Sequence, residues 1–223
     1  MKRLRLAPSI LTADFGRIAD EVRSVADQVD WLHLDVMDGH YVPNLTFGPS
    51  TVEAINRACD VPIHVHLMIT DPERFSPMFA EAGADRISFH PETVEDPGAV
   101  IEELRSLGVG PGLAIHPDVD VDVARLYISE LEVLLMMTVR PGFGGQRFLD
   151  EVVPKIVSAK RMVEEAGSGA DIEIDGGVNL STIDRAVEAG GEIIVAGSAI
   201  FDGKDPPAAA GRMRDRLEEL AAR

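Results

Sequence analysis

Cysteine is nearly absent. Cys59 is the single one, so no disulfide can form within the chain, and it reads as inert helix packing in a reducing compartment. Positive charge is scarce as well: 21 Lys and Arg stand against 38 Asp and Glu, a net charge of −17 at pH 7. Such a surface repels nucleic acid and anionic lipid, whose phosphates need clustered cations, so neither is expected as a partner. An anionic small molecule would need a local patch of backbone N–H groups. The lysines are Lys2, Lys155, Lys160 and Lys204, and none ends a predicted strand. That argues against Schiff-base aldolase and lysine-dependent decarboxylase chemistry. Long apolar runs are missing too; the stretch at 133–137 is far too short to span a bilayer. The charged start, Met1 to Arg5, is followed by no apolar signal segment, so a cytoplasmic protein is expected.

What is present is a repeating texture. The 223 residues are 45% hydrophobic, enough for a packed core. Short runs rich in Val, Ile and Leu recur at 4–10, 31–37, 61–68, 86–89, 112–115, 133–138, 172–174 and 193–196. Several are apolar throughout, as strands covered on both faces are. Segments with helical spacing separate them: Ile18, Val22 and Val25 make one stripe, and Val100, Ile101, Leu104 and Leu107 another. Gly83, Gly108 and Gly190 stand where helices should end, and Asp71-Pro72 and Asp96-Pro97 where they should begin. Eight strands alternating with about eight helices predict a parallel sheet. The expected fold is α/β, a closed (β/α)8 TIM barrel of one domain over residues 1–223, compact beside the roughly 250 residues usual for it. An open doubly wound sheet is the competing fold. Its glycine fingerprint is missing after the first strand, which runs into Ala7-Pro8-Ser9-Ile10.

Residues two apart on a strand share a face. His33, Asp35 and Met37 therefore lie together on the second strand, His64, His66 and Met68 on the third, and Glu173 and Asp175 on the seventh. Barrel interiors are ordinarily filled with branched apolar side chains, and ionisable groups there are costly unless paired, hydrogen-bonded or bound to metal. One His or Asp at a strand end is more often simply hydrogen-bonded. Two imidazoles (His33, His66) and two carboxylates (Asp35, Asp175) converging from three strands suit one divalent metal ion: Zn, Fe, Mn or Co. His64, two residues deeper, reads as core or as a support behind the ligands. His40 and His90, in the loops after strands two and four, read as surface or rim residues.

Three glycine-rich loops follow strands six, seven and eight: Gly142-Phe143-Gly144-Gly145, Gly176-Gly177 and Gly197-Ser198. Glycine lets main chain approach an oxyanion and point several N–H groups at it, so together these loops predict a phosphate site.

In chain order, Ala7-Pro8-Ser9-Ile10-Leu11, the run from His33 to Asn44, His66-Leu67-Met68, the run from Pro141 to Gln146, Asp175-Gly176-Gly177 and the run from Ala196 to Phe201 resemble the ribulose-phosphate 3-epimerase family. The resemblance covers essentially the whole chain. It implies a ribulose-phosphate-binding barrel that interconverts D-ribulose 5-phosphate and D-xylulose 5-phosphate at carbon 3. His33, Asp35, His66 and Asp175 would hold the metal. Asp35 and Asp175 would also be the acid/base pair, one on each face of the substrate, working through a metal-stabilised 2,3-enediolate. Ser9 and His66 would contact the sugar. Backbone at Gly142, Phe143, Gly144, Gly145, Gly176, Gly177, Gly197 and Ser198 would hold the phosphate end. Met37, Met68 and Met137 match positions that crowd the site, and the family's dimers and hexamers imply a homo-oligomer.

The sequence also departs from the family pattern. His116 precedes Pro117 and Arg140 precedes Pro141, each where the family usually has Asn, and His64 stands where an acidic residue is common. Arg140 would place a permanent cation beside the phosphate loop. These departures leave the metal and proton-transfer residues intact but leave room for a related phosphoketose such as allulose 6-phosphate, or for a non-catalytic phosphosugar-binding barrel; metal-free isomerase or lyase chemistry at the same phosphate site is the other enzyme reading. Residues 39–48 after the second strand are a candidate lid.

Overall fold

The computed structural model describes residues 3–223; Met1 and Lys2, which belong to the charged start and the lysine census above, lie outside the described residues. Eight strands form one sheet: β1 Arg5–Pro8, β2 Leu32–Met37, β3 Ile63–Met68, β4 Arg86–Phe89, β5 Gly110–Ile115, β6 Val133–Met137, β7 Asp171–Asp175 and β8 Ile193–Ala196. Every neighbouring pair is parallel, in the order β1-β8-β7-β6-β5-β4-β3-β2. A bridge between Ser9 and His33 brings the two ends together, so the ring nearly closes. This is the expected (β/α)8 barrel.

The α-helices between and after the strands are α1 Ile18–Val25, α2 Pro49–Asn56, α3 Pro72–Glu81, α4 Pro97–Ser106, α5 Val153–Glu165, α6 Ile183–Glu188 and α7 Pro206–Ala221. Pro72 and Pro97 open their helices as predicted, and the Asp96 carboxylate caps α4 by accepting from the Gly98 and Ala99 N–H groups. Between β5 and β6 the expected helix is replaced by a 3-10 turn, Val121–Ala124. Alternating Val and Asp at 119–123 explains this, because that period suits neither an apolar helical stripe nor good helix propensity. Leu107, assigned above to the α4 stripe, falls at the helix C-cap and is 46% exposed.

Strand parity sorts the side chains into two layers. Outward residues such as Leu34, Val65, Ile87, Leu134 and Ile172 join the helices in the main hydrophobic core. Inward residues fill the barrel in tiers. At the bottom, Arg5 and Arg86 clasp Asp171 at 2.5 and 3.1 Å. Above it sit His33, His64 and Glu173, with Ser88 opposite Gly112. A Cβ on Gly112 would come within 2.0 Å of Ser88 Oγ, so glycine there makes the space this polar tier needs. Asp35, His66 and Asp175 lie one step higher, towards the C-terminal ends of their strands, where the active sites of such barrels are found.

Candidate active site

The four predicted ligands come together. One donor atom from each of His33, Asp35, His66 and Asp175 lies within 4.8 Å of the others. His33 Nε2 is 3.3 Å from Asp35 Oδ1 and 3.9 Å from Asp175 Oδ2. His66 Nδ1 is 3.1 and 3.9 Å from the same two atoms. Ligands held at about 2 Å around one tetrahedral ion stand roughly 3.3 Å apart, so only a small contraction separates this set from a coordination shell. His33 Nε2 is buried without a hydrogen-bond partner among the described residues, while its Nδ1 is engaged by Glu173 at 2.8 Å. A buried imidazole nitrogen left free beside two carboxylates fits a divalent cation, which would use the lone pair and offset the negative charge.

The electrostatics agree. Burial, and then the charge of Asp35, push the Asp175 carboxyl up to about 8. Burial works against ionisation of Asp35 too, but His33 and His66 outweigh it and hold that carboxyl far below the usual range. His66 is drawn down to about 3 by burial, with His90 adding to the effect over the bond to Asp35.

Behind the ligands runs a polar network. Glu173 accepts from His33 and His64, each at 2.8 Å from its Nδ1, and His64 Nε2 meets Ser88 Oγ at 2.7 Å. His64 thus lies one tier below Asp35, His66 and Asp175, between Glu173 and Ser88. Asp35 turns its other oxygen to Ser9, whose hydroxyl donates at 2.6 Å. His90 corrects the sequence reading: it is fully buried, not on the surface or rim, and its Nε2 lies 3.0 Å from His66 Nε2. The signal was available, because Ser88 faces inward and His90 is two residues on. His40 is exposed, as expected.

Above the cluster opens a cavity. It is lined by Ser9, Asp35, Asp175, Met37, Met68 and Met137, and by the glycine loops at Gly142–Gly145, Gly176–Gly177 and Gly197–Ser198. The side chain of Phe143 is itself half exposed. Gly177 has φ +67°, and a Cβ there would meet Phe148 N at 2.3 Å, so the loop after β7 requires glycine. After β8 the chain makes one helical turn, with Ile200 N donating to Gly197 O at 2.8 Å. Among the described residues, nothing accepts from the N–H groups of Gly177, Ser198 or Ala199. Thr12, which no sequence pattern singled out, also lines this cavity with a buried hydroxyl that has no partner among the described residues.

Of the departures from the family pattern, neither Arg140 nor His116 is among the residues that line this cavity. Arg140 forms a close ion pair with Asp118 on the exposed surface, and Lys155 donates to the carbonyls of Pro117 and Val119, both at 2.5 Å. The 39–48 loop is docked: Asn44 Nδ2 donates to Gly142 O at 3.0 Å and Thr46 Oγ1 to Asp35 O at 2.6 Å.

Eight parallel strands ringed by helices, with a buried His/carboxylate centre beneath a glycine-lined mouth, define the class of (β/α)8 barrels. KGPDC from Streptococcus mutans, solved in complex with D-R5P, shares the fold with a TM-score of 0.74, at 17% identity over 97% of this chain and 98% of that one. The pattern of the Ribulose-phosphate 3 epimerase family matches residues 5–201, and the chain belongs to that family. It is therefore an enzyme of the isomerase class. Proteins named ribulose-phosphate 3-epimerase in Mycobacterium tuberculosis and Bacillus subtilis are each 44% identical to it, covering 94% and 95% of this chain and 91% and 98% of their own. Among the described residues, no helix is long and apolar enough to cross a membrane.

Proposed function

We propose that this isomerase interconverts D-ribulose 5-phosphate and D-xylulose 5-phosphate, using Asp35 and Asp175 as paired acid and base around one divalent ion. The observation that carries the reading is the convergence of two carboxylates and two imidazoles, from β2, β3 and β7, within 4.8 Å beneath the open cavity. His33 Nε2, His66 Nδ1, Asp35 and Asp175 would hold the ion. When bound, it supplies positive charge beside the substrate oxygens as negative charge builds on them.

The rest falls to the chain. Inverting a carbon next to a carbonyl takes a proton from one face and returns one to the other. Carboxylates reaching in from β2 and β7 suit that task, and matched proton transfer contributes about 10²–10⁴-fold. Ser9 fixes the orientation of Asp35 through its 2.6 Å bond and reaches the sugar from the cavity wall. The main-chain N–H groups of Gly177 and Ser198, with the flanking glycine loops, receive the phosphate without needing side-chain cations. Met37, Met68 and Met137 are nearly fully buried and give the cavity a soft apolar wall that excludes water from the reacting carbon. Arg140 is held by Asp118, so its presence does not argue for a different phosphoketose. Residues 1–223 act as one barrel domain in this reading.

Assay of purified protein with D-ribulose 5-phosphate, before and after chelation, tests the proposal. Turnover that falls on chelation and returns with a divalent ion is expected; turnover indifferent to chelation would remove the metal from the account.

A further inference from the structure

His90 takes no part in the reaction set out above, yet it is buried against the centre, with its Nε2 3.0 Å from His66 Nε2. Two imidazole nitrogens at that distance share one proton: one ring donates and the other accepts. His66 turns Nδ1, not Nε2, towards the carboxylates, at 3.1 Å from Asp35 and 3.9 Å from Asp175. An imidazole binds a cation through its unprotonated nitrogen. A neutral His66 that ligates through Nδ1 therefore carries its proton on Nε2 and donates it to His90. His90 must then accept at Nε2 and keep its own proton on Nδ1. Among the described residues that Nδ1 makes no well-formed hydrogen bond, but it faces Glu92 Oε1 at 3.4 Å. The same carboxylate oxygen accepts from the Tyr41 hydroxyl at 2.8 Å, and the Tyr41 ring lies over His90 with centroids 4.8 Å apart. In the opposite arrangement, with each proton on the other nitrogen, the lone pair of His90 Nδ1 would point at a carboxylate. Two acceptors would face each other.

The structure assigns His90 and Glu92 as positioning residues that hold His66 in the tautomer able to bind metal through Nδ1. The assignment rests on the metal reading above. Glu173 does the equivalent for His33 from the other side of the barrel, by engaging Nδ1 and leaving Nε2 free. Outer partners of this kind set ring orientation and tautomer and commonly govern metal affinity. The chain from His66 through His90 and Glu92 to Tyr41 also links the centre to the loops after β4 and β2.

The test is Zn²⁺ affinity of the stripped protein, read by competition with a chromophoric chelator, together with the visible spectrum of the Co²⁺-loaded form. His90→Phe keeps a buried ring but cannot accept a proton, and is expected to bind Zn²⁺ roughly 10–100-fold more weakly with altered Co²⁺ bands. His90→Gln restores an acceptor and should recover most of the affinity. Glu92→Gln, at the rim, should lose affinity by a smaller factor while leaving the fold intact. Wild-type affinity and spectrum in His90→Phe would overturn the assignment. Should that variant fail to fold, unchanged affinity and spectrum in Glu92→Gln would overturn it instead. A wild-type protein that binds neither ion would sink the metal reading and this assignment together. Loss confined to the variants separates the two.

Discussion

His33 and Glu173 meet inside the barrel, with the Nδ1 of one 2.8 Å from the Oε1 of the other although 140 residues separate them. Both are buried, and the second Glu173 oxygen takes His64. This contact joins β2 to β7 through the interior and aims His33 Nε2 at Asp35 and Asp175.

Removing Glu173 should therefore cost stability as well as function. Breaking a buried charged network by deleting one partner typically costs about 3–5 kcal/mol. Glu173→Ala is expected to lose stability in that range in urea unfolding. A loss below roughly 1 kcal/mol would mean that His33 and His64 find other partners.

Cation uptake should expel protons. Without a cation, burial and Asp35 push Asp175 up to about 8, and His33 lies well above its ordinary value because Asp35 and Glu173 outweigh its burial. Asp175 is then largely protonated at pH 7 and must give up that proton to serve as a ligand, and the raised His33 value adds to the competition between protons and cation. Affinity for Zn²⁺ should thus fall as pH drops below 8. Titration calorimetry in buffers of different ionisation enthalpy should register release of at least one proton per ion at pH 7. No release would contradict the assigned ligand set.

The loop after β2 hangs on Asp38. One carboxylate oxygen accepts from the His40 and Tyr41 N–H groups at 2.8 and 2.9 Å, the other from the N–H and hydroxyl of Thr70 at 2.8 and 2.9 Å. Burial opposes ionisation, but these bonds prevail and lower the Asp38 value. A depressed folded value contributes stability that is complete above the unfolded value of about 4 and is lost as pH falls through the folded one. Asp38→Ala should cost about 1 kcal/mol at pH 7, and the difference from wild type should shrink below about pH 4. A pH-independent difference would show that the charge is immaterial.

Arg140 looks disruptive in the sequence and harmless in the structure. Its guanidinium pairs with Asp118 on the surface, where such pairs contribute little. Arg140→Asn should change kcat/KM for ribulose 5-phosphate by less than about threefold, equivalent to roughly 0.7 kcal/mol. A tenfold change would return Arg140 to the phosphate site.

Much of this was legible in the residues. The rule that strand positions two apart share a face put His33, Asp35, His66 and Asp175 on inner walls before any coordinates, because charged side chains contrast with the apolar filling of a barrel. The same rule, carried one residue past β4, places His90 inside beside Ser88, because the inward alternation continues beyond the last paired residue, Phe89. Glu92 and Tyr41 could not be found this way. Their contact depends on how two loops 51 residues apart in sequence fold over each other. The apolar run at 112–115 stops short of the start of β5: Gly and Pro are weak strand formers, yet Gly110 and Pro111 pair with Arg86 and Ile87. Parallel pairing to a neighbour overrode the local signal there.

The most direct measurement follows the carbon-3 hydrogen in deuterated water, for wild type, Asp35→Asn and Asp175→Asn, each loaded with metal. Wild type should wash deuterium into carbon 3 of both sugars, and each variant should epimerise at least about 10²-fold more slowly. Wild-type epimerisation in either variant, or conversion without solvent deuterium at carbon 3, would contradict proton transfer by two opposed carboxylates.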